Sequence, residues 1–366
     1  MLGQRALNRA LLERQLLLRR VEIPVAVALE HLVGLQAQAP MPPYYALWSR
    51  LARFDPHELG RMLIDREAVR LTLMRGTVHL VTVRDALALR PLLQHVIERV
   101  HKGSFGRRMA GVDPTRLAPV VDELLAGKPL TARELGRQLV ARGIGRDVEA
   151  VANATRMYVA LVQVPPRGVW GAGGQAKYAT IESWTGRELE ADPSLEDLIL
   201  RYLGAFGPAS PLDMQKWSGL TRVKAVFEEL RPRLRTFRDE HGRALFDLPD
   251  APRPSPDLRA PTRFLGEYDN VLLGHADRRR IVPEGFPWDA MLAPGRFVNN
   301  LLVDGLLRAT WWIERDGQRQ ATLAIRPFRR LSRAEHAEVA AEAARMVEFA
   351  AADVDRREVR FEPAVD

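Results

Sequence analysis

The sequence predicts an α+β fold in which three tandem winged helix-turn-helix domains are followed by a C-terminal β-barrel-like element. Three observations support this prediction. The segment Pro208–Pro249 combines two helical stripes with a hairpin. Two weaker copies of the same order of elements lie upstream of it. A proline-rich connector, APRPSPDLRAP, then leads into segments whose apolar residues alternate as they do in strands.

The third unit, within Pro208–Pro249, has the clearest local signals. Ser210 can cap a short helix that ends near Trp217, and the SGLT stretch that follows predicts a turn. A second helix begins at Thr221 and has an apolar stripe along one face. The stretch RLRTFRDEHGRALFDLP then alternates around Glu240–Gly242, which predicts a hairpin. Two helices followed by a hairpin are the elements of a winged helix-turn-helix.

The two upstream units repeat this plan less clearly. LTARELGRQLVARG begins with Thr131 and Glu134 at the spacing of a capping box, and a second helix and a long hairpin follow. In the first unit, the helix in DPHELGRMLI precedes two strands that meet at Arg75–Gly76. We therefore predict domains at residues 1–110, 111–190, 191–252 and 253–366.

The last of these regions is predicted to be rich in strands. After Pro261, RFLGEYDNVLLG and GRFVNNLLVDGLLRATWWIERDGQRQATLAIRPF alternate with glycine turns, which indicates a small barrel or sheet. SRAEHAEVAAEAARMVEFAAA predicts a closing amphipathic helix, capped by Ser332 with Glu335 three residues later.

The composition narrows the possible functions. The chain of 366 residues has no cysteine, which excludes disulfides, thiol catalysis and cysteine-ligated metals. It has no apolar run of about 18 residues, and its first helix is interrupted by charges, so we expect no membrane span, no signal peptide and a cytoplasmic, nucleoid-associated location. The net charge is +8, and nearly all the positively charged residues are arginines. Such a charge is compatible with a polyanionic partner such as nucleic acid.

Common enzyme signatures are absent from the sequence. GAGGQA, at Gly171–Ala176, resembles a dinucleotide fingerprint in its letters, but no strand and helix surround it, which favours a turn in a wing. There is no Walker loop, no serine nucleophile elbow and no His-Glu-x-x-His motif. The eight histidines are scattered, so we expect no metal site and no cofactor.

Two glutamines in the stretch HLVGLQAQAP are the leading candidates for chemistry. In an extended segment Gln36 and Gln38 share one face, so their amides can converge on a water molecule or a base edge. The structural alternative is that both side chains satisfy the last carbonyl groups of the preceding helix.

Cationic and polar residues elsewhere are candidates for contacts with a polyanion. In RGTVHLVT, Thr77 and His79 share a strand face and Arg75 lies at the turn, although an outward polar face of a wing explains the pattern equally well. The remaining candidates are cations that can contact phosphate or form a solvated rim, namely Lys177, Lys224, Arg278, Arg279 and Arg280.

Several segments of the sequence resemble those of a known family. LNRALLERQLLLRR, HLVGLQAQAP, LMRGTVHLVT, EYDNVLLGHADRRRIV and VDGLLRATWWIE are similar to segments of the AlkZ-like DNA glycosylases of the winged-helix superfamily. The resemblance covers nearly the whole chain, and its most specific element is the glutamine–apolar–glutamine motif at Gln36, Ala37 and Gln38. It implies a C-shaped DNA-binding surface and excision of alkylated purines, including natural-product adducts and interstrand crosslinks. Gln38, where a related branch has aspartate, implies the crosslink-repair and genotoxin self-resistance branch.

The chemistry of glutamine fits such a substrate. Cleavage of an N-glycosidic bond passes through an oxocarbenium-like state that water attacks. Glutamine can orient that water but is a poor base, so the leaving group must already be activated, as a cationic alkylpurine is. No lysine lies near the pair in sequence, so we expect a monofunctional enzyme, and we expect it to be a monomer. The competing hypothesis is a non-catalytic winged-helix transcriptional regulator, which gives the glutamines no task.

Overall fold

The computed structural model describes residues 1–109, 112–286 and 299–365. We number the helices and strands in chain order. The helices are α1 (Gln4–Arg14), α2 (Val25–His31), α3 (Pro42–Arg50), α4 (Pro56–Ile64), α5 (Val83–Leu92), α6 (Gln94–Phe105), α7 (Leu117–Leu125), α8 (Ala132–Ala141), α9 (Val148–Tyr158), α10 (Ile181–Thr185), α11 (Leu195–Phe206), α12 (Pro211–Ser218), α13 (Lys224–Glu229), α14 (Asn270–Leu273) and α15 (Arg333–Ala350). Within the described ranges, every helix is too short or too polar to cross a bilayer.

The described strands form three sheets. The strands are β1 (Leu35–Gln36), β2 (Ala68–Thr72), β3 (Val78–Thr82), β4 (Leu130–Thr131), β5 (Leu161–Val164), β6 (Lys177–Thr180), β7 (Arg235–Arg238), β8 (Ala244–Asp247), β9 (Arg263–Leu265), β10 (Asn299–Val303), β11 (Leu306–Asp316), β12 (Gln320–Pro327) and β13 (Arg356–Phe361). The largest sheet has six antiparallel strands in the order β1-β3-β2-β5-β6-β4, β7 pairs with β8, and five strands form the third sheet.

The six-stranded sheet joins the hairpins of the first two predicted units. One face packs on a core that includes Leu71, Val81 and Val162, and the other contributes Leu35 and Leu80 to a second core. This alternation follows from the two-residue period of a strand, which sends neighbouring side chains to opposite faces. Because β2 pairs with β5, the sheet crosses the boundary predicted at residue 110, and the division into domains stays a prediction.

The helices and hairpins occur in the predicted order. Thr131 and Glu134 form the capping box at the start of α8, and Ser332 caps α15 in the same way. The hairpin of β7 and β8 turns at Asp239–Gly242, as predicted, and Gly242 takes a positive φ of 76° there. The second helix of the third unit begins at Lys224 rather than at Thr221.

The C-terminal β element is an open sheet, which corrects the prediction of a barrel-like element. Within residues 253–286 and 299–365 its order is β13-β12-β11-β10-β9, with β13 and β9 at the two edges. Helix α15 covers one face, where Val339, Ala343 and Met346 pack against Trp311 and other buried side chains. Because a helix already buries the apolar face, the sheet does not need to close on itself.

Candidate active site

The glutamine segment lies at the edge of the six-stranded sheet. Helix α2 ends at His31, and Val33 and Gly34 then take positive φ angles of 55° and 83° that turn the chain back into β1. A Cβ atom on Gly34 would lie 3.0 Å from the carbonyl oxygen of Leu80, so glycine suits this close approach. Strand β1 pairs with β3, which places Gln36 directly opposite His79.

Both glutamine amides are oriented by hydrogen bonds. The Oε1 atom of Gln36 accepts from Arg75 Nη2 at 2.9 Å, and the Oε1 atom of Gln38 accepts from the main-chain N–H of Val78 at 3.2 Å. Because guanidinium and main-chain N–H groups only donate, the side-chain oxygen and nitrogen of each amide are assigned. Each Oε1 keeps a second lone pair for another donor. Gln36 is 9% exposed, whereas Gln38 is open to solvent.

These bonds decide against the alternative that the glutamines cap α2. The end of that helix is closed by the main-chain N–H of Gly34, which donates to Leu29 O at 2.8 Å. The side chain of Asn270 takes the next carbonyl groups, with Nδ2 at 3.2 Å from Leu32 O and 3.0 Å from Gly34 O. The glutamines are therefore held by β3 and its turn rather than by the helix.

Arg75 links the glutamine segment to two other parts of the chain. It lies at the tip of the β2–β3 hairpin with a positive φ of 56°, and its Nη1 donates to Trp217 O at the end of α12. Burial, together with the nearby charge of Arg278, lowers the pKa of Arg75 to about 10. The guanidinium therefore stays charged at neutral pH. The structure thus brings Gln36, Arg75 and Arg278 together.

Thr77 and His79 follow Arg75 and are more enclosed than an outward polar face would be. The hydroxyl of Thr77 donates to Met74 O at 3.1 Å inside the turn. His79 donates from Nδ1 to Thr77 O at 2.9 Å, and burial lowers its pKa to about 3. The ring is therefore neutral at physiological pH, and its Nε2 carries a lone pair that can accept a hydrogen bond.

Two of the predicted cations, Lys177 and Lys224, are exposed on other elements than the glutamine segment. Lys177 begins β6, four strands from β1 in the sheet order, which separates the two strands by roughly 19 Å at ordinary strand spacing. Lys224 is exposed at the start of α13 in the third unit.

The three consecutive arginines have different environments. Arg278 is exposed and lies near Arg75. Arg279 forms an ion pair with Asp277, Nη2 to Oδ2 at 2.6 Å, and also contacts His241 in the β7–β8 turn. Arg280 is 6% exposed and donates to Pro208 O at 3.1 Å, so its guanidinium supports the fold and does not reach the surface. The expectation that Arg280 contacts a polyanion does not fit this position.

Most of the chain matches a family of known proteins. The model of the family described as DNA glycosylase AlkZ-like matches residues 29–349, which is most of the chain. The chain belongs to the AlkZ-like DNA glycosylase family. This confirms the resemblance carried by Gln36, Ala37 and Gln38 and their surrounding segments.

A curated sequence and a solved structure, both from Streptomyces sahachiroi, illustrate the family relationship. The interstrand DNA cross-link repair glycosylase is 25% identical over 333 aligned residues, covering 82% of this chain and 85% of the relative. The solved structure of the DNA glycosylase AlkZ superposes with a TM-score of 0.75 at 23% identity, covering 98% of this chain and 99% of that one. At this identity the match establishes the fold, and it confirms the α+β class.

Sequence reasoning missed two residues that support the site of this AlkZ-like chain. Arg70 is 2% exposed and donates from Nη2 to Ala37 O at 2.6 Å, which fixes the peptide between the two glutamines. Asn270 holds the turn before Gln36 from a distance of more than two hundred residues in sequence. The available signals were a charged residue inside the apolar strand AVRLTL and the polar cluster EYDN.

Proposed function

We propose that this protein is a monofunctional DNA glycosylase that hydrolyses the N-glycosidic bond of cationic alkylated purines in double-stranded DNA. The observation that carries the proposal is the pair of oriented amides, with Gln36 held by Arg75 and Gln38 held by the Val78 N–H, in a chain of the AlkZ-like family. Gln36 and Gln38 are the proposed catalytic residues.

The two amides suit a reaction that needs an oriented water but no strong base. The free lone pairs of both Oε1 atoms can accept hydrogen bonds from one water and point it at the anomeric carbon. The same carbonyl dipoles stabilise the positive charge that develops on the sugar. The neutral Nε2 of His79, opposite Gln36, is a further acceptor at this edge of the sheet.

The bonding changes balance without a protonation step by the enzyme. The C1′–N bond breaks and its electron pair goes to the purine, which leaves as a neutral molecule because it began as a cation. The water oxygen forms a bond to C1′ of the oxocarbenium-like sugar. The water proton passes to solvent, since an amide cannot retain it. The products are a free alkylpurine and an abasic site.

The proposal extends to bulky lesions. Gln38 is exposed and Gln36 lies just inside the surface, so a bulky lesion can reach the amides without entering a deep pocket. One relative is named an interstrand DNA cross-link repair glycosylase. We therefore include natural-product adducts and interstrand crosslinks among the substrates, with self-resistance to a DNA-alkylating genotoxin as the biological role.

DNA binding in this proposal is shared along the chain. Three tandem winged helices, at 1–110, 111–190 and 191–252, and the C-terminal element, 253–366, would form a C-shaped surface for a monomer on DNA. Exposed cations from several of these regions supply phosphate contacts, and these cations are Lys177, Lys224, Arg278 and Arg279. A cytoplasmic, nucleoid-associated location belongs to the same proposal, because the substrate is chromosomal DNA.

A duplex with one N7-methyl-2′-deoxyguanosine tests the proposal. Under single-turnover conditions the wild-type protein should release the base, and the strand should break only after alkali. Strand cleavage without alkali would show a lyase and contradict monofunctional chemistry.

The competing regulator hypothesis gives a different result in the same assay. A non-catalytic regulator would retain specific undamaged duplexes and release no base from the methylated one. The double substitution Gln36→Ala/Gln38→Ala serves as the catalytic control, because it removes both amides from an edge that lies outside the apolar cores.

A further inference from the structure

The segment from Gly266 to Asn270 runs beside the glutamine pair. At one end, Asn270 Nδ2 is 3.0 Å from Gly34 O, two residues before Gln36. At the other end, a Cβ atom on Gly266 would lie 2.5 Å from Pro42 O, four residues after Gln38. The chain before the pair and the chain after it therefore both touch this segment, and the residues between Gly266 and Asn270 lie alongside the site.

Tyr268, in the middle of this segment, is unusually exposed. The residue is 43% exposed, and it is the one Phe, Trp or Tyr among residues 1–109, 112–286 and 299–365 that is classed as exposed. Its φ is 55°, in the left-handed region where a bulky side chain is strained. The fold thus holds an aromatic ring at the surface, in a backbone conformation that glycine or asparagine would adopt more easily.

Glu267 precedes that ring in the chain. Burial and the adjacent Glu267 carboxylate raise the pKa of Tyr268, so the phenol stays protonated and can donate to that carboxylate. Glu267 itself is 9% exposed, and its main-chain N–H donates to Asn299 Oδ1 at 3.0 Å. A nearly buried carboxylate therefore lies beside an exposed ring, on the segment that contacts the chain before and after the glutamine pair.

We propose that Tyr268 stacks on the cationic alkylpurine while Gln36 and Gln38 act at its glycosidic bond, with the Glu267 carboxylate beside the ring. The inference rests on the glycosylase function proposed above and names how the same site recognises its substrate. Every nucleobase has a face on which an aromatic ring can stack. A cation over a ring face gains additional electrostatic attraction. The adjacent Glu267 carboxylate adds to this preference for a positive base over a neutral one.

The test uses two substitutions of Tyr268. Tyr268→Gly removes the ring and relieves the positive φ, so the variant should fold as well as the wild type. Tyr268→Phe keeps the ring and removes only the phenol group. Binding is measured on a duplex with 2′-fluoro-N7-methyl-2′-deoxyguanosine, in which the fluorine blocks hydrolysis, and on the matched unmodified duplex. Excision is measured on the hydrolysable N7-methyl duplex.

The expected result is a selective loss in the glycine variant. Tyr268→Gly should weaken binding to the fluorinated lesion duplex and slow excision by roughly 5- to 150-fold, the range for loss of one stacked base. Tyr268→Phe should stay within a few-fold of wild type on both readouts. Affinity for the unmodified duplex should change less than threefold in either variant.

Three outcomes would overturn the inference. Wild-type excision and lesion affinity in Tyr268→Gly would mean that the ring does not contact the lesion. An equal loss of affinity for unmodified and lesion duplexes would mean that the ring stacks on an undamaged base. A loss in Tyr268→Phe as large as in Tyr268→Gly would mean that the phenol, not the ring face, is needed. If the wild-type protein releases no base at all, the glycosylase proposal fails, and that result is distinct from these three.

Discussion

Two groups of arginines, buried or partly buried, differ in whether an acidic side chain accompanies their charge. Arg14 pairs with Asp247 at 2.5 Å and Arg50 pairs with Asp269 at 2.7 Å, and all four side chains are buried. Arg70 and Arg75, beside the glutamines, form no ion pair within the described residues. They donate instead to uncharged oxygens, Ala37 O and Gln36 Oε1.

The arginines that are paired with an acid stabilise the fold, whereas those without an acid lie at the candidate site. The paired arginines join α1 to β8 and α3 to the start of α14, so they hold distant segments together. The unpaired ones keep positive charge at the glutamine segment, because burial lowers the pKa of each only to about 10. A buried cation without a carboxylate costs free energy. We infer that this cost is tolerated because the two guanidiniums hold the glutamine segment through Ala37 O and Gln36 Oε1.

The largest expected effect comes from breaking a paired arginine. Arg50→Met leaves Asp269 buried and unpaired, so the free energy of unfolding should fall by about 3–5 kcal/mol. Arg70→Met leaves no acid unpaired and should cost less than about 2 kcal/mol, mainly for the Ala37 carbonyl that loses its donor. Chemical denaturation of both variants checks this order. Equal losses in the two variants would contradict the distinction between the groups.

The glutamines themselves should give the next largest effect. Gln36→Ala and Gln38→Ala should each slow base excision by on the order of 10²-fold, as for loss of one oxyanion-type contact. Gln38→Ala should be the more severe, because the Oε1 of Gln36 accepts from a charged guanidinium, which weakens it as an acceptor for water more than the neutral Val78 N–H weakens the Oε1 of Gln38. Because both amides orient one water, the double variant should cost much less than the product of the singles. Single-turnover rates on the N7-methyl duplex measure each effect.

The controls for these variants are DNA affinity and a charged replacement. Affinity should barely change in the alanine variants, since neutral amides add little beside arginine–phosphate contacts. Gln38→Glu should retain activity on cationic alkylpurines, because it places a stronger base at nearly constant shape. Wild-type excision rates in folded Gln36→Ala and Gln38→Ala would move the search for the active site to Thr77 and His79.

Arg75 should have a smaller effect that passes through Gln36. Arg75→Met removes the donor to Gln36 Oε1 and frees the amide to rotate, so excision should slow by roughly tenfold, the equivalent of one hydrogen bond to a charged group. Arg75→Lys keeps the positive charge but cannot donate to both Gln36 and Trp217 as the guanidinium does. Relative to Arg75→Met, it should therefore recover affinity for DNA more than it recovers the excision rate. A lysine variant with full activity would mean that Arg75 supplies charge alone.

Local sequence signals predicted the elements well, and contacts between distant residues limited the rest. Thr131 with Glu134 and Ser332 with Glu335 are capping boxes that need only three residues of spacing, and both are present. The extended course of Gln36 was likewise predictable from its neighbours. The bond from Arg70 to Ala37 and the bond from Asn270 to Gly34 join residues that no local pattern links.

The arginine triplet shows the same limit in one short stretch. Arg278, Arg279 and Arg280 are identical letters in sequence, but one is exposed, one is paired with Asp277, and one is buried against Pro208. Their separation depends on the way that the chain bends around α12. The open C-terminal sheet was also beyond local reasoning, since strand alternation alone does not distinguish a sheet covered by a helix from a closed barrel.

The smallest expected effect concerns the exposed cations. Arg278→Ala should remove about one phosphate contact, which lowers the slope of log affinity against log salt by roughly 0.9 and weakens binding to many sequences alike. Arg279→Ala tests the neighbouring exposed guanidinium, which is paired with Asp277. Arg356→Ala, on the edge strand β13 and paired with Glu358 at 2.7 Å, is the matched control and should leave the slope unchanged. Titrations of an unmodified duplex between 50 and about 200 mM salt measure all three slopes.

The effect of Arg278 on excision is a separate readout. Arg278 lies close enough to lower the pKa of Arg75, so its removal leaves less positive charge at the site. Excision should then fall only in proportion to DNA occupancy. If Arg278→Ala slowed excision at saturating protein while the salt slope stayed constant, Arg278 would belong with Arg75 among the residues that position the glutamines, not among the phosphate contacts.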